Sequence, residues 1–415
     1  MEYQDLIWHF SSRSSGSRNK MTLQVFSSDE DYFRNVTAAQ SAAPRVSLPF
    51  ESESPQSKSG RISTLTLFQA QTLGSALFKS LPDEATSPLL NFYGGPNRAL
   101  RLKISSDLPA CDDLPWECLC TAQGDFFALR PEVRIVRSIP VLVKSPPATV
   151  IRPVRVLLVI TNPKDERLLD SFRELPAVFE ALKFPDYRYE VVSEPTFEAF
   201  LREARSFEPQ IVHYIGHAGI NGGEGNLILH DYSNGTRWVC PSDLASTLPL
   251  SVRLICLSTC FTTENYNLLG LPRFAHAAGQ LRLPTFVTNQ RTVDETTVRI
   301  YWSKFYEELL ASGGNVNEAC HVAALNVSAG TDPASWTSFS TVVRDGSGEV
   351  MKIVDQGAVP AAQLGNEIRA QFAARLANNM AQSVRMLGDN VSSDLSTNLK
   401  LEVARVTKLY EGNES

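Results

Sequence analysis

Ile211-Val212-His213-Tyr214-Ile215-Gly216-His217 is a short β-type run that ends on a histidine, and Leu254-Ile255-Cys256-Leu257-Ser258-Thr259-Cys260 is a second that ends on a cysteine. Apolar runs of this length read as buried strands of a parallel sheet. Such sheets present their chemistry beyond the carboxyl ends of the strands. If the two strands are neighbours, His217 can take the Cys260 proton. That leaves a thiolate nucleophile at a pH where an ordinary thiol is mostly protonated.

The pattern on either side alternates. A strand over 154–161, a helix over 165–182, a strand over 188–192 and a helix over 196–207 lead into the histidine run. After it come a Gly-rich loop at 219–225, a hairpin-like segment at 226–239, a short helix at 242–248 and a strand at 253–257 that runs into Cys260. Beyond lie a helix at 271–278, a strand at 285–288, helices at 292–311 and 316–327, and a last strand near 339–343. Strands alternating with helices of this length imply right-handed crossovers and a mostly parallel sheet covered on both faces. The expectation is an α/β sandwich of about six strands.

Upstream, β-type runs such as Thr22-Leu23-Gln24-Val25-Phe26 alternate with polar stretches, and the Ser-rich 51–60 reads as a linker. Helical spacing over 66–81, a strand over 99–104, the stretch Leu114-Pro115-Trp116-Glu117-Cys118-Leu119 and two short strands over 126–129 and 133–137 follow. Pro146-Pro147 marks a boundary. The chain therefore divides into an N-terminal α+β lobe (1–151), a catalytic-type α/β unit (152–348) and a tail (349–415). In the tail, apolar residues recur every fourth position from Leu364 to Val384 and again from Leu395 to Leu409, which predicts two amphipathic helices split at Gly388-Asp389-Asn390.

Composition narrows the function classes. Thirty-nine basic against forty-five acidic residues give a net charge of −6 without a like-charge block, so neither nucleic acid nor an anionic membrane is expected as a direct partner. No apolar run reaches the ~18 residues of a membrane span, and Met1–Asp5 lacks the features of a signal peptide. A cytoplasmic location is expected. Seven cysteines without regular spacing suit reduced thiols, which permits a reactive Cys260. His213-x3-His217 with Cys256-x3-Cys260 does not read as a zinc site. Four residues along a strand span roughly 13 Å, too far for two ligands of one ion. His213 and Cys256 are expected to be packed inside the sheet.

In order along the chain, Pro115-Trp116-Glu117, Val212-His213-Tyr214-Ile215-Gly216-His217, Leu257-Ser258-Thr259-Cys260, Val293-Asp294-Glu295-Thr296-Thr297, the helix around Phe305-Tyr306 and Glu308-Leu309, and Trp336 before the closing strand resemble the CHAT family. These are caspase-related cysteine peptidases of the separase superfamily. The resemblance spans about 66–348. It implies a caspase-like, six-stranded, mostly parallel sheet flanked by helices, with an N-terminal β-containing lobe, and a cysteine endopeptidase that needs no metal or organic cofactor.

On that resemblance Cys260 is the nucleophile and His217 the acid/base, and the backbone N–H groups of Cys260 and Ala218 form the oxyanion hole, with Ala218 standing where the family usually has glycine. Asp294 takes the place of an acid that selects a basic P1 side chain. Arg291 is the alternative, suited to an acidic P1; the Val-Asp spacing favours Asp294. Asn289-Gln290 replaces the usual Leu-Trp. Trp116 is expected in a core and Glu117 at a domain contact, and the bland reading of Asp294 is an acid at a helix N-terminus. The resemblance further implies a protein substrate, activation by a partner or ligand that orders the loops around 219–225 and 261–270, and limited proteolysis in a prokaryotic antiviral-defence or cell-death pathway. The alternative is a catalytically weak scaffold that binds protein partners through its cleft or C-terminal helices.

Overall fold

The computed structural model describes residues 1–355, except for 16–17, 40–45, 47–64, 96, 113, 142–145, 164–170, 184, 223, 234, 260–269, 282, 284, 291–292, 331–332 and 345–346. The Ser-rich 51–60 and the tail helices expected after 361 lie outside the described residues.

The first part of the chain contributes β1 (Glu2–Ser15), β2 (Arg18–Phe26), α1 (Asp29–Ala39), α2 (Leu67–Lys79), α3 (Asp83–Leu90), β3 (Arg98–Ser106), α4 (Pro109–Asp112) and β4 (Val133–Ile139). The second contributes β5 (Ala148–Ile151), β6 (Val154–Ile160), α5 (Ser171–Ala181), β7 (Tyr187–Ser193), α6 (Phe197–Phe207), β8 (Ile211–Gly216), β9 (Ala218–Asn221), β10 (Glu224–His230) and β11 (Thr236–Val239). Then come α7 (Pro241–Thr247), β12 (Leu254–Thr259), α8 (Gly270–Leu281), β13 (Thr285–Asn289), α9 (Glu295–Ala311), α10 (Val316–Gly330), β14 (Phe339–Arg344) and β15 (Met351–Val354).

One ten-stranded sheet organises the molecule in the order β2-β1-β3-β4-β14-β13-β12-β8-β6-β7. The six strands expected from the alternation are the last six in that order, β14 to β7, parallel except for β14, which runs antiparallel to β13. The N-terminal strands continue that sheet, because β4 pairs in parallel with β14 through Val342↔Arg137 and Val343↔Ser138. The hydrogen-bonding ladder thus crosses from the N-terminal lobe into the α/β unit, and β14 is an interior strand rather than an exposed edge.

The sequence of β6 shows why the sheet sits where it does. Val156, Leu158 and Ile160 join the core on one face with Tyr187, Trp302, Phe305 and Tyr306; Leu157 and Val159 join the opposite core with Phe200, Val212, Tyr214 and Phe274. The period of two along a strand, apolar at every position from Val156 to Ile160, produces two cores. On the first face α5 and α10 both pack against α9. On the second, α6 offers Phe197, Phe200, Leu201, Ala204 and Phe207 at helical spacing, and Thr196 caps it by accepting from the Ala199 N–H at 3.2 Å. A third core in the N-terminal lobe holds Trp8, Phe10, Leu77, Leu102, Trp116 and Phe127. There the Trp116 ring stacks on Phe10 at 5.1 Å and meets Trp8 edge-on at 6.4 Å.

Two local readings are corrected. Residues 126–129 are not a strand: Phe127–Leu129 is a 3-10 turn with Leu129 N–H on Phe126 O and Arg130 N–H on Phe127 O. Phe126 packs edge-on to Trp336 in one core while Phe127 packs in another, so two apolar neighbours mimic a strand without forming one. The Gly-rich loop expected at 219–225 is not a loop in its described residues 219–222 and 224–225. They belong to a β9–β10 hairpin in which Ala218 pairs with Leu227 and Asn221 with Glu224, and the Asn226 amide donates to Asn221 O and Glu224 O across the turn. Among the described residues no helix is long and apolar enough to cross a membrane.

Candidate active site

β8 and β12 are adjacent and parallel, in register from Leu254↔Ile211 to Thr259↔Gly216. The two chains therefore end their pairing level with each other, about 4.8 Å apart. His217 is the next residue on one chain. Cys260, the next on the other, lies outside the described residues, as does Arg291.

The chain just before His217 is tightly specified. A Cβ on Gly216 would lie 2.3 Å from Thr161 Cγ2 and 2.5 Å from the Tyr214 hydroxyl, so no larger residue fits there without displacing one of them. That hydroxyl lies 2.6 Å from both His217 O and Ile228 O, and the Ile228 N–H donates to His217 O at 3.0 Å. The main chain at His217 is pinned from two sides. Its ring is buried, with 4% of the residue exposed, and Nε2 lies 3.3 Å from Asn162 Oδ1. Asn162 follows β6, and its own N–H donates to Glu194 Oε2 at 2.8 Å. Glu194 follows β7 in the left-handed region, φ 52°, and its carboxylate also meets His230 Nε2 at the end of β10. The ends of four strands thus converge behind one imidazole.

Ala218 is the first residue of β9. Because Ile228 and His217 occupy a hydrogen-bonded pair position, the Ala218–Leu227 pair that follows is a non-hydrogen-bonded one. Its N–H is directed away from β10, as an oxyanion donor would require.

Asp294 is exposed at the head of α9, where it is the N-cap. Its Oδ1 accepts from the Thr297 N–H at 3.0 Å and its Oδ2 from the Thr297 hydroxyl at 2.5 Å. The helix-terminal role weighed for it in the sequence is therefore present.

Asn289-Gln290, where the chain departs from Leu-Trp, is buried. Gln290 Oε1 accepts from Arg137 at 3.0 Å and its Nε2 donates to Glu117 Oε2 at 2.7 Å. Glu117 in turn pairs with Arg137 at 3.0 Å. The acid of Pro115-Trp116-Glu117 thus contacts β4 and the exit of β13 at once.

His213 and Cys256 are packed, as expected. The His213 ring lies 4.5 Å from Trp302, its Nδ1 is 2.7 Å from the Tyr306 hydroxyl, and that hydroxyl is 3.9 Å from Cys256 Sγ. Burial pushes the Cys256 thiol well above the ordinary range and the Cys320 thiol up to about 11. Both stay protonated and unreactive at neutral pH.

A family model for the CHAT domain matches residues 69–345. The chain belongs to the CHAT-domain family. A search of curated proteins found no match. Among solved structures the CHAT chain is similar to two Saccharomyces cerevisiae separase–securin complexes. One gives 15% identity and a TM-score of 0.38 over 59% of this chain and 15% of that chain; the other gives 14% and 0.37 over 68% and 18%. The Drosophila initiator caspase Dronc gives 10% identity and a TM-score of 0.28 over 52% of this chain and 96% of that one. The chain thus spans less than a fifth of the separase-complex chains it matches.

Asn162, Glu194, His230 and Tyr214 were not singled out by sequence. The usable signal was positional: Asn162 and Glu194 each sit just past the carboxyl end of a parallel strand, where polar residues have access to a site.

Proposed function

We propose that this CHAT-domain chain is a cysteine endopeptidase with Cys260 as nucleophile and His217 as general base and acid. The observation supporting it is the Thr259↔Gly216 pairing, which makes His217 and Cys260 the next residues on two chains that leave the sheet side by side. In the reaction, His217 accepts the thiol proton and the sulfur attacks the scissile carbonyl carbon. The C=O electron pair moves onto oxygen, opposite the N–H groups of Ala218 and Cys260. Collapse of the tetrahedral intermediate expels the amine, which takes its proton from His217 and leaves a thioester. Water, deprotonated by His217, then releases the acid and regenerates the thiol.

Asp294 is our candidate for selecting a basic P1 side chain; its exposure beyond β13 supports this, and capping α9 does not exclude it. The substrate class is protein, the location cytoplasmic, and control by an activating partner or ligand. Limited cleavage in a prokaryotic defence or cell-death pathway follows from the family resemblance.

A peptide probe carrying a thiol-reactive warhead tests the assignment. Labelling is expected on the wild-type chain, with strong loss in Cys260→Ala and in His217→Ala. Undiminished labelling of folded Cys260→Ala would refute it and leave the partner-binding scaffold as the reading.

A further inference from the structure

We propose that Asn162 is the positioning residue of this dyad: its side-chain carbonyl holds the Nε2–H tautomer of His217 and thereby makes Nδ1 the nitrogen that exchanges the proton with the nucleophile. The inference rests on the peptidase reading above and adds to it a residue and a tautomer. A neutral imidazole has one donor and one acceptor nitrogen. An amide oxygen only accepts, so Asn162 Oδ1 at 3.3 Å from Nε2 places the hydrogen there and leaves the lone pair on Nδ1. When Nδ1 takes the proton, the same oxygen lies beside the N–H of the resulting imidazolium and stabilises it, as an orienting partner does in nucleophile–base–orienter arrangements.

The surroundings are built for positioning. The backbone of His217 is fixed by Tyr214 and Ile228, so its side-chain torsions are what remain to be set. Asn162 is fixed to the same sheet: Ile160 pairs with Ile215, and the Thr161 N–H donates to Ile215 O at 3.0 Å. Its own N–H is held by Glu194 at 2.8 Å, while the Glu194 N–H donates to Ile160 O at 2.8 Å and His230 meets the Glu194 carboxylate. Glu194 adopts φ 52°, a conformation that costs a non-glycine residue about 1 kcal/mol or more. That conformation presents its carboxylate to both the Asn162 N–H and His230.

Two measurements on the full chain test this without a known substrate. The first reads the ring directly: 15N chemical shifts of His217, assigned by their loss in His217→Ala, are expected to show the Nε2–H tautomer, and an Nδ1–H tautomer would overturn the proposal. The second is the rate at which iodoacetamide alkylates Cys260 at neutral pH, the thiolate displacing iodide, followed by mass spectrometry of the Cys260 peptide. Asn162→Ala is expected to slow it about tenfold or more, and Asn162→Asp, which restores an acceptor, to recover most of that loss. A merely structural role would not give rescue by Asp. If His217→Ala slows alkylation but Asn162→Ala does not, the dyad stands and Asn162 has no part in it. If His217→Ala leaves the rate unchanged, the peptidase reading falls and this inference with it.

Discussion

Glu117→Gln is the substitution whose cost can be worked most directly from the structure. The Arg137 side chain is 3% exposed and that of Glu117 10%. The guanidinium donates to both Glu117 oxygens at 3.3 and 3.0 Å, to Asp112 O at 2.6 Å, to Leu114 O at 2.9 Å and to Gln290 Oε1 at 3.0 Å. Neutralising Glu117 leaves a buried cation without its counter-charge, which costs about 3–5 kcal/mol. The surviving carbonyl contacts place the expected loss near the lower end, about 3 kcal/mol. For a 415-residue chain that is a fall in melting temperature of roughly 3–4 °C. Removing the cation as well, in Glu117→Leu with Arg137→Met, should not restore full stability. Asp112 O and Leu114 O would each lose a donor, at about 1–3 kcal/mol apiece. Circular dichroism melts with urea titrations measure all of this. A Glu117→Gln midpoint within about 1 °C of wild type would refute the reasoning.

Three further outcomes are expected. Gly216→Ala should lose about 1–3 kcal/mol in a melt and slow Cys260 alkylation, because its Cβ would push the Tyr214 hydroxyl from the His217 carbonyl; unchanged values would contradict that contact. Burial holds the His321 pKa down to about 3, below the ~6.5 of the unfolded chain, so its neutral form favours the fold. That stability is present above about pH 6.5 and is lost as pH falls from there towards 3, about 2 kcal/mol by pH 5, and His321→Gln should flatten the melting temperature between pH 7 and 5. Asp294→Asn keeps an equally good N-cap while Asp294→Ala loses about 1 kcal/mol, so a loss of basic-P1 preference in Asp294→Asn without a change in melting would assign the charge to selection. A P1-varied peptide library reads the preference, and selection of acidic or apolar P1 by the wild type would remove Asp294 from that role.

Legibility differed by the kind of signal. The β6, β8 and β12 runs are short and predominantly apolar, and their strand character follows from that composition. His217 and Cys260 stand out in the sequence because each breaks off an apolar run just past a strand. Phe126–Leu129 reads as a strand because adjacent aromatics destined for two different cores carry the same local signal as one. The glycines at 219–225 read as a Gly-rich loop because glycine marks turns without saying how short they are. In the structure strand pairing reaches into that stretch, up to Asn221↔Glu224.

By itself the sequence determined an α/β protein with a histidine and a cysteine placed after buried strands, together with the apolar faces that would cover a sheet. Those properties are local: side-chain period and burial depend on residues a few positions apart. Tertiary structure decided which polar groups meet. Asn162 and His217 are 55 residues apart, and Arg137 and Gln290 are 153. Strand order and register bring each pair within hydrogen-bonding distance. That order arises from closing β4 onto β14 and β8 onto β12, a global packing outcome that no local period encodes.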